Sequence, residues 1–159
     1  MSDDLLAIYL TDHLAGATAG CKRMRRLADH ETSADDGATL AATATEIEQD
    51  RQTLSEILAA VQVSPRWYKS ASAWLAEQAG LLKTNGRLVR RSPLTSVIEL
   101  EFMRMGVTGK VALWESLKHA DLGDQFDFDE LLERANRQLQ VLETAHHIRA
   151  SVVVQSTTP

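Results

Sequence analysis

The sequence predicts an all-α protein, an up-down four-helix bundle with a long helical crossover between its second and third helices. Three observations carry this. Four long segments repeat apolar residues at alternating three- and four-residue steps, the spacing of one helix face. Short turn-forming stretches follow the first and third segments. About thirty residues separate the second from the third, where antiparallel neighbours need only about two to eight.

The first segment places Leu6, Leu10, His13, Ala17, Gly20, Met24 and Leu27 on one face. Asp3 and Asp4 in its opening turn, and Arg23, Arg25 and Arg26 near its end, suit the helix dipole. ETSADDG (31–37) breaks the pattern and offers Ser33 or Asp35 as the next N-cap. The second segment, about Ala38 to Val61, carries Leu40, Thr43, Ile47, Asp50, Leu54, Ile57 and Val61. The third starts at Ser92-Pro93, a cap serine followed by proline at the first helical position. Its stripe is Val97, Leu100, Met103, Val107, Val111, Trp114 and Leu117, and Gly106 and Gly109 weaken its middle. After DLGDQ (121–125), the fourth shows Phe128, Leu132, Ala135, Leu139, Leu142, His146 and Arg149. SVVVQSTTP (151–159) reads as a tail beyond a single domain of residues 1–150.

The connection, about residues 62–91, is expected to hold a short helix from Pro65 to Gln78 and then a turn at Asn85-Gly86. Helices two and three then run parallel while the crossover travels the length of the bundle. A ~14-residue helix followed by ~10 extended residues covers the ~40 Å of a 27-residue helix.

The 159 residues suffice for one domain with a sizeable core, and 44% apolar with 25% charged residues is the balance of a soluble globular chain. A net charge of -5 gives the surface as a whole no attraction for polyanions. No apolar run approaches the ~20 residues that span a bilayer, and the acidic opening MSDDLLAIYL lacks the basic start of a secretory signal. Cys21 stands alone, without an intrachain disulfide partner or a cysteine cluster for zinc. The expectation is a reduced, cytoplasmic protein with no membrane partner.

Short loop, long crossover, short loop is the connectivity of ferritin-like bundles. DHLAGATAG (12–20), EIEQDR (46–51), LKTNGRL (82–88), SPLTSVIELE (92–101) and VTGKVALW (107–114) also resemble small bacterial proteins of the ferritin-like superfamily. The resemblance covers nearly the whole chain, and its motifs are structural. It implies the fold and carries no chemistry.

Polar residues on apolar stripes are the informative ones, because an unpaired buried charge costs several kcal/mol. Counting from the loops groups His13, Glu46, Asp50 and Lys110 at one level, and Glu101 with His146 at another. The predicted buried polar layer is His13, Asp50 and Lys110. Ferritin-like carboxylate proteins bind two metal ions with a Glu from each of two helices and a Glu-x-x-His from each of the other two. Helix four offers Glu143-Thr144-Ala145-His146; helix two offers Glu46-Ile47-Glu48-Gln49, with Gln where the pattern has His. Helix one presents His13 in place of Glu, and helix three presents Lys110, whose charge opposes a metal. A degenerate or mononuclear site would use His13, Glu46, Glu101, Glu143 and His146, with iron, manganese or zinc as the ion.

No phosphate loop, nucleophile elbow or H-E-x-x-H occurs, so no catalytic residue is assigned and the reading leans away from an enzyme. Cys21, followed by Lys22, Arg23, Arg25 and Arg26, is either a structural thiol or one made reactive by those cations. Gly16 and Gly20, among alanines, form a smooth face for close helix approach, within the bundle or across a dimer. The functional expectation is a ferritin-like bundle with a degenerate or absent di-metal site and no resident cofactor, acting through protein contacts as a homodimer. Metal binding or metal-dependent redox chemistry is the first alternative. The second is DNA binding by residues 64–91 as a winged-helix-like unit, with Arg66, Lys69, Lys83, Arg87, Arg90 and Arg91 on phosphates. A long preceding helix, Glu77 and the packing residues Trp74 and Leu75 weigh against that alternative.

Overall fold

Four helices of nearly equal length build the protein: α1 (Ser2–Asp29), α2 (Ala34–Ala60), α3 (Pro93–Lys118) and α4 (Phe128–Gln155). The computed structural model describes residues 2–61, 92–120, 122 and 125–155, with side chains from Leu5 onward, and no strand occurs among them. At 26 to 28 residues each, the helices are about 40 Å long. The predicted crossover, its helix at 65–78 and the Asn85-Gly86 turn lie outside the described residues, as does the winged-helix-like stretch.

Local chemistry sets the helix starts. Ser33 caps α2 in an extended conformation, and its hydroxyl accepts the Asp36 N–H at 3.4 Å. Asp35 and Asp36 follow in the first turn, where the dipole favours acids. The helix therefore begins four residues before the expected Ala38. Ser92 and Pro93 open α3 as expected, though the Ser92 hydroxyl makes no cap bond. Proline suits that position because its missing N–H would have had no helical partner. Asp127 Oδ1 accepts the Glu130 N–H at 3.0 Å and starts α4.

α1 packs on α2 and α3, and α4 packs on α3 and α2, so α2 and α3 occupy opposite corners. Gly20 lies beside Met103 and His13 beside Gly109, which makes α1 and α3 antiparallel. Asp50 meets Arg134 and Glu31 meets Arg149, which makes α2 and α4 antiparallel. α2 and α3 accordingly run in the same direction. The core between the four helices holds Leu10, Met24, Ile57, Leu100, Leu113, Trp114, Leu117 and Leu142, all essentially inaccessible. Each contributes about 1.5–3 kcal/mol by leaving water. Trp114 packs at 6.3 Å on Phe128, which closes the α3–α4 end.

The α2 and α3 stripes lie in the core along nearly their whole length. Two stripes differ from expectation. On α1 the buried line is Ala7, Leu10, Cys21, Met24 and Leu27, while His13, Ala17 and Gly20 are half-buried on the flank toward α3. On α4 the buried line is Phe128, Leu131, Ala135, Gln138 and Leu142, with Leu132 and Leu139 at its edge. The face turns because Gln138 is buried with hydrogen-bond partners. The predicted tail also differs: α4 continues through Ser151–Gln155, exposing Val152 and Val154. Valine lowers helix propensity only slightly, so the run extends the helix without a breaker.

Candidate functional site

Asp50 is the centre of the polar layer. It sits mid-way along α2 on the Ile47–Leu54 face and is 1% exposed. Its carboxylate accepts from four N–H groups: Lys110 Nζ and Gln138 Nε2 (3.1 Å) on Oδ2, and Arg134 Nε (2.8 Å) and Nη2 (2.6 Å) on Oδ1. Lys110 Nζ also donates to Gln138 Oε1 at 2.5 Å, and Gln138 Nε2 lies 3.2 Å from Glu46 Oε2. Side chains from α2, α3 and α4 thus meet in one saturated network. Burial holds the Lys110 ammonium below the ordinary lysine range, with Asp50 the main opposing influence.

His13 approaches the layer from α1. It lines the same cavity of about 470 Å³ as Asp50 and Lys110, stacks edge-on against Tyr9 at 4.6 Å, and has its Cε1 4.0 Å from where a Cβ on Gly109 would stand. Burial depresses its pKa, and Asp12 partly offsets this. Its ring is a wall of the cavity beside the network.

The second level joins Glu101 and His146, with His146 Nε2 3.2 Å from Glu101 Oε1. Arg104 stands next to them, with Nη1 3.5 Å from His146 Nδ1 and Nη2 3.4 Å from Glu143 Oε1. Neutral His146 fits this as the tautomer that donates from Nε2 to Glu101 and accepts at Nδ1. Glu101 and Glu143 are largely exposed, so these pairs contribute little to stability.

Among the described residues, no three His, Cys, Asp or Glu side chains converge as a metal-ligand group. The five metal candidates fall into separate places: His13 in the α1/α3 cavity, Glu46 on Gln138, and Glu101, Glu143 and His146 around Arg104. A di-metal centre needs carboxylates and imidazoles at the middle of the bundle. There the chain places Lys110, Arg134 and Gln138, two cations and an amide, so these residues do not fit such a centre.

Cys21 is the structural thiol of the two alternatives. It is 3% exposed, its Sγ lies 3.7 Å from the Ile47 carbonyl oxygen, and burial pushes its pKa up to about 11. The nearby cations do not activate it, because Glu48 pairs with both Arg25 (3.1 Å) and Arg51 (2.6 Å).

Gln138, Arg134, Arg104 and Glu31 are the interacting residues that sequence reasoning missed. Leu131, Ala135, Gln138 and Leu142 form as regular a stripe as the one chosen on α4, and Arg134 sits one turn before Gln138. Glu31, its side chain 3% exposed, pairs with Arg149 and accepts the Thr32 and Ser33 N–H groups at 2.7 and 3.0 Å. No helix among the described residues is long and apolar enough to cross a membrane. Protein-family models, curated proteins and solved structures give no match to this chain.

Proposed function

We propose that this chain is a ferritin-like bundle in which an ion-paired layer stands in place of a di-metal centre, and that it acts through protein contacts with a second copy of itself. The observation that carries the reading is the Asp50 network, where Lys110 and Arg134 neutralise the carboxylate that a metal would otherwise share. The parallel run of α2 and α3 supports the ferritin-like connectivity. Exposed apolar side chains on α3 support a contact role over catalysis. Elemental analysis of protein purified without chelator tests this: less than ~0.2 mol of iron, manganese or zinc per chain is expected, unchanged by supplementation.

A second reading, metal binding, rests on the Glu101–His146 pair with Glu143 one arginine away. It requires Arg104 to withdraw. About one mole of metal per chain after supplementation, lost in His146→Ala, would establish it in place of the first.

A further inference from the structure

Along α3, Leu94, Ile98, Phe102 and Met105 are 50%, 42%, 47% and 62% exposed. Steps of four, four and three residues put them on one outward stripe. The neighbouring flank of α1 carries Asp12, Gly16, Ala19 and Arg23 at steps of four, three and four, again a single face. Among the described residues Gly16 and Gly106 front open space, since a Cβ on either meets nothing within 4 Å. Packing among the described residues requires neither glycine, and each weakens its helix relative to alanine. No carboxylate pairs with Arg23 among the described residues; its guanidinium lies over Phe102, 5.0 Å from the ring centroid.

We infer that a second copy of the chain docks on this α1/α3 face about a two-fold axis, with α1 lying antiparallel on α1. The inference rests on the protein-contact reading above and names its surface. The order acid, small, small, base has the same spacing from either end, with the charges exchanged. An axis between Ala17 and Thr18 therefore sets Asp12 of each copy against Arg23 of the other, and Gly16 against Ala19. Small residues at the axis let the backbones approach closely, which explains glycines that leave space unfilled in one copy. The α3 stripe then flanks the contact, and Phe102 and Met105 lose their exposed surface. Two helices about 40 Å long and about 10 Å wide present about 800 Å², the area per partner of a stable dimer. Such an interface is isologous, and the Asp12–Arg23 pair occurs in it twice.

Sedimentation velocity on the full chain at about 5 to 200 µM tests the assignment. The expected result is a dimer. Asp12→Arg alone and Arg23→Asp alone each weaken it about tenfold or more, because each sets like charges together at both symmetric sites. The double variant carrying both reversals restores the dissociation constant to within about threefold of the parent. Asp12 is exposed and Arg23 half-buried at the helix flank, and an unchanged helical circular dichroism spectrum verifies folding. A dimer that neither single reversal moves, or that the double variant fails to restore, overturns this face and leaves the protein-contact reading standing. A monomer throughout the range overturns both the face and the self-association, while the metal analysis continues to report on the polar layer alone.

Discussion

Asp50→Ala removes the acceptor of four N–H groups and leaves Lys110 and Arg134 facing a methyl group. The two cationic side chains are only 13% and 16% exposed, so water replaces few of the lost bonds. Two like charges about 5 Å apart repel by about 3 kcal/mol at an effective dielectric constant of about 20. Breaking a buried pair from one side generally costs about 3–5 kcal/mol. Lys110 limits the loss by shedding its proton, since burial already holds its pKa low. The expected cost near pH 7 is about 3 kcal/mol, a large share of a total of about 5–15. Urea unfolding followed by circular dichroism reads this as a midpoint lowered by about 1.5 M, for a slope of about 2 kcal/mol per M. The pH dependence has a definite sign. The folded pKa of Lys110 lies below its unfolded value, so folding gains stability as pH rises toward 10.5. Losing Asp50 lowers the folded value further and widens that window, so the deficit of the variant shrinks between about pH 7 and about pH 10. Asp50→Asn, which keeps the shape and loses the charge, separates the Coulombic part from packing. A loss below about 0.5 kcal/mol, or a deficit that grows with pH, refutes the ion-paired layer as a source of stability.

Three further outcomes follow from the geometry. Cys21 reacts slowly with an aromatic disulfide reagent at about pH 8, because a thiol pushed up to about 11 is about one part in a thousand thiolate and is also buried; an immediate native-state reaction contradicts its placement. Gly106→Ala raises stability by about 0.5–1 kcal/mol and Tm by about 1–4 °C in dilute solution, since the added methyl meets nothing within 4 Å among the described residues; a lower Tm means the site is not open. Glu31→Ala costs about 2 kcal/mol by urea unfolding, as it removes the partner of Arg149 and the acceptor of two loop N–H groups; a neutral result places that pair in solvent.

Helix spacing made most of the bundle legible. On α2 the stripe from Leu40 to Ile57 is buried, including Thr43 and Asp50, because the helical period carries polar residues into the core along with the apolar ones. On α4 the sequence favours Leu132 and Leu139 where the fold buries Leu131 and Gln138, because the leucine line is the more apolar, and Gln138 and Arg134 are hidden by it. A glutamine is buried, and an arginine half-buried, only when hydrogen-bond partners arrive from other helices, and those partners lie far away in sequence. Glu31 was hidden for the same reason: its loop resembles a cap signal, and Arg149 supplies its counter-charge from the far end of the chain. Equal distance from the loops brings Asp50 and Lys110 to one level and into contact. His13 at that level instead lines the cavity beside the network, a difference of side-chain direction that height along a helix does not encode.

The bond from Asp50 to Lys110 crosses the diagonal of the bundle, between helices that do not pack on each other. α1 packs mainly on α2 and α3 mainly on α4, and apolar faces alone tolerate sliding one hairpin past the other. A slip of one turn, about 5.4 Å, would carry Asp50 away from Lys110, Arg134 and Gln138 together, and strand both cations among leucines. The diagonal bond thus acts as a proofreader of assembly, admitting one alignment of the two halves and rejecting its neighbours.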